Sequence, residues 1–252
     1  MLPAEESPRI RRVEFELRAT GVKPDQQTNR LCSGIHTRGY LPHVKREGVR
    51  YFVTFRLADS LPKEVLLTIK AKQAMRLAAL NAKRGGQAEH TACRIESIEE
   101  IERDYFRELE AYLDRGTGQC WLRRPDIAGL VSGALKFFDG ERYALRAWVV
   151  MPNHVHVVFW PVPDQTVSGI VHSWKRFIGR EANKILHLTG HAFWQPEPFD
   201  HWIRNDVEFA RCCSYVIHNP VKARLCRRAE EWPWSSAWNG SATQPQAAAQ
   251  TP

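Results

Sequence analysis

Residues 147–161 read Ala147-Trp-Val-Val-Met-Pro-Asn-His-Val-His-Val-Val-Phe-Trp-Pro161 and combine two apolar runs around a short polar interruption. The runs meet at Met151-Pro-Asn153, a connection so short that it predicts an antiparallel pair of strands. Side chains of a strand alternate between its two faces, so His154 and His156 point the same way and Val155 the other way. We expect the two imidazoles to lie about 6 to 7 Å apart along the strand, close enough to share a cation.

A buried structural role for these histidines remains open at this point. A histidine in an apolar strand is more often a hydrogen-bonded core residue than a metal ligand. Two histidines on one face favour the metal site over that alternative. The spacing alone does not decide between them.

The bulk composition predicts a folded protein without a membrane segment. The chain has 252 residues, of which 43% are hydrophobic and nine are tryptophan, enough to fill a core. The longest apolar runs, such as Val155 to Val162, are far too short to span a bilayer. The first eight residues lack the basic and apolar regions of a secretory signal, so we expect a cytoplasmic protein.

The cysteines argue against a zinc site. None of the six forms a CxxC pair, and the histidine pair lacks the HxE arrangement of zinc deaminases. The net charge of +8 and the pI near 9.3 instead point to a polyanionic partner, of which nucleic acid is the commonest. Charge alone is weak support, because many basic proteins bind no polyanion.

The order of elements predicts an α+β fold. Residues 1–35 are expected to be a loosely ordered leader and residues 239–252 a disordered tail, with one domain between them at 36–238. The predicted strands cover 49–57, 142–151 and 154–160, with extended pieces at 193–195 and 199–204; the predicted helices cover 62–84, 97–114, 125–138, 166–188 and about 205–218. This order matches a split βαβ layout, an antiparallel sheet with helices on one face. The stretch 62–124 would be an enlarged helical first connection of unknown role.

The long helix predicted at 166–188 carries a basic side. Lys175, Arg176, Arg180 and Lys184 occupy much of the surface left by its apolar stripe. These residues form either an ordinary solvated face or a face that contacts phosphates, and the pattern is compatible with both.

Tyr215 and Asn219 are four residues apart and share one face if their helix extends that far. A phenol can attack phosphorus when a metal ion neutralises the phosphate, which leaves a covalent phosphotyrosine. His154 and His156 could hold that metal with Asn219 as a third ligand, and this donor set suits Mg²⁺ or Mn²⁺. Alternatively, Asn219 caps a short helix at 221–225 that begins with Pro220, and Tyr215 simply packs.

Several blocks in order resemble the single-tyrosine HUH transposases, in the branch associated with repetitive extragenic palindromes (REP). Met151-Pro-Asn-His-Val-His156 is similar to the His-hydrophobic-His motif of that family. Tyr215-Val-Ile-His-Asn-Pro-Val-Lys-Ala223 and Glu231-Trp-Pro-Trp-Ser-Ser236 look like its tyrosine segment. The remaining similar blocks are Phe193-Trp-Gln195, Asp200-His-Trp-Ile-Arg204, Arg38-Gly-Tyr-Leu-Pro-His43 and Tyr51-Phe-Val-Thr-Phe55. The resemblance spans roughly residues 36–238.

The resemblance implies a ferredoxin-like, RNA-recognition-motif-like fold and an enzyme that cuts single-stranded DNA beside a hairpin formed by a palindromic repeat. Tyr215 would be the nucleophile that forms a 5′-phosphotyrosine and frees a 3′-OH. His154, His156 and Asn219 would bind the divalent metal, Mg²⁺ or Mn²⁺. The DNA of the nucleoid would be the substrate of this cytoplasmic protein, which would be a monomer or a homodimer, with the monomer preferred.

Lys222 and Arg224 extend the set of candidate DNA contacts beyond the tyrosine. At Arg224 the resemblance predicts a glycine, so the turn after the tyrosine helix is expected to differ here or to gain a phosphate contact. A competing interpretation is a non-catalytic single-stranded nucleic-acid-binding protein that stacks bases on Trp174, Trp194 or Trp202. These tryptophans are more often core residues.

Overall fold

The computed structural model describes residues 35–38, 41–44, 49–82 and 90–240. The predicted leader, except Ile35, and most of the predicted tail therefore lie outside the described residues. The strands are β1 (Ile35–Arg38), β2 (Leu41–Val44), β3 (Arg50–Arg56), β4 (Tyr143–Val150), β5 (His154–Pro161) and β6 (Phe199–Ile203). The α-helices are α1 (Lys63–Ala82), α2 (His90–Leu113), α3 (Pro125–Phe137), α4 (Val167–Ile185) and α5 (Asp206–Lys222). None of the described helices is long and apolar enough to cross a membrane.

The central element is a four-stranded antiparallel sheet in the order β4-β5-β3-β6. The predicted hairpin at Met151-Pro-Asn153 joins its first two strands. The register of β3 on β5 places Thr54 opposite His156 and Arg56 opposite His154. Facing residues of antiparallel strands point to the same side of the sheet, so these four side chains share one face. The predicted α+β antiparallel fold is confirmed.

Helices α3 and α4 cover the other face of the sheet, as predicted. The apolar stripe of α4 includes Trp174, which is 3% exposed and contacts Tyr143 and Phe159 edge-on at 4.9 and 5.0 Å between ring centroids. Thr166 begins the helix by accepting a hydrogen bond from the Gly169 amide, as expected of an N-cap. Burial of this aromatic group fixes α4 against the centre of the sheet.

The face that carries the histidines is covered as well, by α5 and α2. Phe52 on β3 meets Phe106 of α2 at 5.3 Å and Tyr215 of α5 at 5.9 Å between ring centroids. Leu109 and Leu113 of α2 are each 1% exposed and belong to the same apolar cluster. Helices therefore cover both faces of the sheet. Helices α3 and α4 lie on one face, and α5 lies on the other together with α2, which belongs to the enlarged first connection.

The enlarged connection is helical, as predicted, and its helices α1 and α2 pack together as a helical hairpin. Ion pairs join α1 to α2, with Arg76 Nη1 2.8 Å from Asp104 Oδ2. The two ends of the connection meet where the Gln119 amide donates to Asp59 Oδ2 at 2.7 Å. Gly118 lies there with φ of +90°, and a β-carbon at that position would come within 2.6 Å of the Asp59 carbonyl oxygen. Only glycine allows so close an approach.

The tyrosine helix extends further than predicted. The sequence suggested an end near His218, before Pro220, yet α5 runs through Pro220 to Lys222. Proline removes a single backbone donor here, and the last turn closes through bonds from Ala223 N to the Asn219 oxygen and from Leu225 N to the Pro220 oxygen, both 2.9 Å. Asn219 is therefore a residue of this helix and not the cap of a separate one at 221–225. Asn205 is the cap of α5, as expected.

The chain after α5 returns to β4. The Val150 amide donates to the Trp234 oxygen at 2.8 Å, and the Ser236 amide donates to the Trp148 oxygen at 2.9 Å. The Trp232 indole donates to the Val150 oxygen at 3.0 Å. The Glu231-Trp-Pro-Trp-Ser-Ser236 block thus pairs with the side of β4 that does not face β5.

Candidate active site

His154 and His156 lie side by side in the buried centre of the second face. Both are 0% exposed, and their Nε2 atoms are 3.0 Å apart. The alternation of β5 directs both rings to the same face, as predicted, but the rings tilt towards each other, and their centroids are 4.6 Å apart and not the expected 6 to 7 Å. Two imidazole nitrogens aimed at one point could bind a single cation.

The outer nitrogen of each ring is held by a polar neighbour. His154 Nδ1 lies 2.7 Å from Asn153 Oδ1, and His156 Nδ1 lies 2.7 Å from Thr54 Oγ1. An amide oxygen can only accept, so His154 Nδ1 carries the proton and its Nε2 presents a lone pair. Such bonds to the outer nitrogen fix ring orientation at metal sites. The two rings are therefore oriented as a cation would require.

Asn153 also ties the histidines to α2. Its Nδ2 donates to the Leu113 oxygen at 3.2 Å and to the Thr117 oxygen at 3.0 Å. The side chain is 0% exposed, and its amide is satisfied on both sides. The end of the helical hairpin and the orientation of His154 are thereby coupled through one residue.

Glu110 of α2 completes the buried donor group. Its Oε2 lies 3.3 Å from His156 Nε2, and ligand atoms of Glu110, His154 and His156 all lie within 4.8 Å of one another. Two imidazoles and a carboxylate could bind a metal ion. The sequence interpretation missed Glu110, because a glutamate in a helix usually faces solvent. The available signal was its position four residues after Phe106 and three before Leu113, inside the apolar stripe.

Tyr215 faces the same carboxylate from α5. Its hydroxyl donates a hydrogen bond to Glu110 Oε2, and its ring lies edge-on to His156 with centroids 5.5 Å apart. Burial, reinforced by the negative charge and hydrogen bond of Glu110, raises the pKa of the phenol well above its usual range. The phenol therefore remains protonated, with its proton directed at Glu110.

Asn219 lies one turn after Tyr215 on α5 and is 1% exposed. Neither amide atom of Asn219 forms a hydrogen bond of good geometry among the described residues, although the amide is near enough to the Tyr215 hydroxyl to lower the pKa of the phenol. A buried amide without partners costs free energy, so its presence calls for a ligand. The structure places Asn219 beside Tyr215, while Glu110 is the oxygen donor that contacts the histidines directly.

The charge state of the group suits a cation. Burial alone would raise the pKa of Glu110, but the two histidines and the Tyr215 hydrogen bond outweigh it and lower that pKa to about 2. Burial and the neighbouring His156 lower the pKa of His154 to about 3. At neutral pH the group thus combines an ionised carboxylate with a neutral His154 imidazole, the protonation states that metal binding needs.

A surface groove of about 330 Å³ lies on the outer side of α5 and includes Tyr215 in its lining. Its lining consists of Arg211, Ser214, Tyr215, His218 and Lys222. Lys222 forms an ion pair with Asp114 at 2.7 Å and lies 5.6 Å over the Tyr215 ring. The groove therefore carries basic side chains beside the Tyr215 ring, with the charge of Lys222 partly balanced by Asp114.

The other predicted DNA contacts differ in their surroundings. Arg176, Arg180 and Lys184 are exposed on α4, although Arg180 and Lys184 both contact Glu181. Lys175 is half-buried and donates to the Gln195 and Pro196 oxygens at 2.6 and 2.7 Å. Arg224 is exposed and adopts φ of +57°, in the left-handed region where the resemblance predicts a glycine.

The tryptophans of the competing interpretation mostly serve the core. Trp174 and Trp194 are 3% and 7% exposed, and Trp194 packs edge-on against Phe55 at 4.9 Å between centroids. A side chain so enclosed presents no face on which a base could stack. Trp202 of β6 is half-buried, so only this member of the trio retains accessible surface.

Fold and site together define a class of protein: an antiparallel ferredoxin-like sheet with a His-x-His pair on one strand and a tyrosine helix facing it. A family model described as "Transposase IS200 like" matches residues 134–219, which include both histidines and Tyr215.

Within this class, the chain is similar to REP-associated tyrosine transposases, which confirms the resemblance noted in the sequence. One from Escherichia coli (strain K12) is 28% identical over 95 residues, 37% of this chain and 54% of the relative. A putative one from Haemophilus influenzae (strain ATCC 51907 / DSM 11121 / KW20 / Rd) is 24% identical over 96 residues, 34% of this chain and 54% of the relative. The chain spans about half the length of the curated relatives it matches.

A solved structure of a REP-associated tyrosine transposase bound to a REP hairpin is also similar. It has a TM-score of 0.38 and 20% sequence identity, and the match covers 79% of this chain and 80% of that one.

Proposed function

We propose that this protein is a metal-dependent endonuclease and strand transferase that acts on single-stranded DNA beside a hairpin. The observation that carries the proposal is the meeting of Tyr215 and the histidine pair on one buried carboxylate. A nucleophile and a cation-binding group so close together are the two components that phosphoryl transfer to a phenol needs. The similarity to transposases supports the same reaction class.

His154, His156 and Glu110 would hold the divalent metal, with the Asn219 amide as a further oxygen donor. A nitrogen and oxygen donor set of this kind is compatible with Mn²⁺ or Mg²⁺ when phosphate oxygens complete the shell. The bound ion would neutralise charge on the phosphate under attack. Asn153 and Thr54 keep the two imidazoles oriented for this role.

The Tyr215 oxygen would attack the phosphorus and form a 5′-phosphotyrosine while the bond to the 3′ oxygen breaks. The hydrogen bond to Glu110 Oε2 holds the phenol in place, the phenolic proton is released as the bond to phosphorus forms, and the departing 3′ oxygen takes up a proton. Attack of a 3′-OH on the phosphotyrosine reverses the bond changes and joins strands. The energy of the phosphodiester is conserved, so the reaction needs no nucleotide cofactor.

The structure supports a monomer with a complete site. Helix α5 packs against β4 and β5 of its own chain, so Tyr215 reaches the histidines without a second copy. A basic groove at Tyr215 and exposed cations on α4 support single-stranded DNA as the partner. With chromosomal DNA as substrate, the protein would act in the cytoplasm.

A covalent-trapping assay tests the proposal. The protein is incubated with single-stranded DNA that carries a REP-like hairpin, with Mn²⁺ or Mg²⁺, and denatured products are examined for a protein–DNA adduct. We expect an adduct that disappears with EDTA and with Tyr215→Phe. An adduct that survives Tyr215→Phe would remove the assigned nucleophile, and DNA binding without any adduct would favour the non-catalytic interpretation.

A further inference from the structure

Arg56 lies at the edge of the proposed active site, at the end of β3. It pairs across the sheet with His154, and the alternation of β3 puts it on the same face as Thr54, which contacts His156. This relationship follows from strand register, so Arg56 is fixed next to the histidine pair by the backbone itself.

The side chain of Arg56 is largely buried, and one of its guanidinium nitrogens lacks a hydrogen-bond partner. The residue is 5% exposed, and its Nε makes no hydrogen bond. Among the described residues no side-chain hydrogen bond or ion pair to Arg56 is formed. A cation removed from water without a compensating anion is unfavourable, and burial lowers the pKa of this arginine. An arginine stays charged in proteins, so the free-energy cost persists.

The surroundings of Arg56 add further positive charge. The Lys175 ammonium lies close enough that burial, together with the charge of Arg56, lowers its pKa to about 8. Glu197 is a nearby carboxylate, and its Oε2 is 3.3 Å from the Lys70 ammonium. Glu110 also attracts Arg56 but is bonded to Tyr215 and His156. The cations in this region are therefore incompletely balanced.

We propose that Arg56 binds a phosphate of the DNA strand immediately beside the metal-binding group. This inference rests on the proposed function and assigns a further substrate contact to it. The planar guanidinium suits bidentate contact with phosphate oxygens, and a bound phosphate would supply the anion that the free protein lacks. The phosphate would then lie next to His154, the residue that Arg56 faces across the sheet.

The thermal stability of the DNA-free protein distinguishes a structural role of Arg56 from a role in phosphate binding. Removal of an arginine that stabilises the fold lowers the Tm. An arginine that is buried in order to bind a phosphate instead destabilises the DNA-free protein, so its removal leaves the Tm unchanged or raises it. We expect Arg56→Met to melt at the same temperature as wild type or higher without DNA. Arg103→Met, on the exposed surface of α2, is the matched control for the lost charge.

Binding is measured in a Tyr215→Phe background, where cleavage cannot contribute. The probe is oligothymidylate, titrated over a range of salt concentrations. Loss of one phosphate contact is expected to reduce the slope of log affinity against log salt by about 0.7. We expect that reduction for Arg56→Met and little change for Arg103→Met. With Tyr215 intact, Arg56→Met is expected to form the adduct at least about tenfold more slowly, as for loss of one preorganised charge contact.

The two proposals fail differently. A lower Tm for Arg56→Met together with an unchanged salt slope would overturn the phosphate contact, whatever the adduct assay shows. An absent adduct in wild type would remove the proposed function, while a reduced salt slope in Arg56→Met would still support the phosphate contact. Arg56→Lys provides a second variant, expected to recover part of the affinity because it restores the charge but not the planar fork.

Discussion

The Tyr215 hydroxyl donates a hydrogen bond to Glu110 Oε2, the same oxygen atom that lies 3.3 Å from His156 Nε2. One carboxylate atom therefore connects the proposed nucleophile to the proposed metal ligands. It belongs to α2, a helix of the enlarged first connection, and so the site takes a donor from a segment outside the matched residues 134–219.

Glu110→Gln is expected to weaken Mn²⁺ binding at least about tenfold, or about 1.4 kcal/mol. The substitution keeps the size of the side chain but removes the negative charge from the donor group. Binding is measured on the DNA-free protein by calorimetry or by the signal of free Mn²⁺. Glu108→Gln is the control, since Glu108 is on the same helix and forms an ion pair with Lys72. Unchanged affinity in Glu110→Gln would leave Asn219 as the third ligand.

Asn153→Ala is expected to affect both stability and metal binding. It removes the acceptor for His154 Nδ1 and the donor to the Leu113 and Thr117 oxygens. We expect a loss of about 2 kcal/mol, or roughly 4–8 °C in Tm, and a fall in metal affinity of about 10- to 100-fold. Asn183→Ala, which removes a bond to the His191 oxygen on the surface, should leave metal affinity unchanged. Equal metal affinity in both variants would contradict the orienting role.

Acid is expected to destabilise the metal-free protein through His154. Its pKa is about 3 in the fold and 6.5 unperturbed, so between these values the unfolded chain binds the extra proton. Stability is therefore lost as the pH falls below about 6.5, by up to about 1.4 kcal/mol per unit. Thermal unfolding in EDTA between pH 7 and pH 5 measures this slope. His154→Gln should flatten it, and an identical slope in the variant would exclude His154 as the cause.

Arg224→Gly is expected to stabilise the protein by about 0.5–1 kcal/mol. Arg224 holds φ of +57°, where a β-carbon is unfavourable and glycine is not. Arg224→Ala removes the same charge but retains the β-carbon, so its Tm should stay near that of wild type. The two variants should bind single-stranded DNA equally, because they differ in backbone preference and not in charge. A glycine variant that melts below the alanine variant would refute the backbone argument.

The sequence predicted those parts of the site that depend on short-range periodicity. His154 and His156 share a face because strand side chains alternate, and this needs no knowledge of the rest of the fold. Tyr215 and Asn219 share a face once the helix continues. Pro220 obscured that continuation, since local propensity favours a helix end there, but the surrounding packing retains the last turn.

The sequence could not predict contacts that depend on how distant elements meet. Glu110 approaches His156 because α2 packs across the sheet, and no local sequence pattern predicts how α2 is oriented on the sheet. The burial of Arg56 likewise could not be predicted, because the alternation of strand residues indicates only the face of the sheet on which the side chain lies. The sequence predicted one basic side of α4 from its four cationic residues. It could not predict that Lys175 differs from the others by binding the Gln195 and Pro196 oxygens.

The return of residues 232–236 to β4 has a consequence for solubility. An outer strand with free amide and carbonyl groups can recruit a strand from another molecule and start aggregation. Here the Trp234 oxygen and the Ser236 amide occupy those groups on Val150 and Trp148. Truncation before Trp232 would expose the outer edge of β4. We expect such a shortened chain to self-associate, even though Glu110, His154 and His156 are still present.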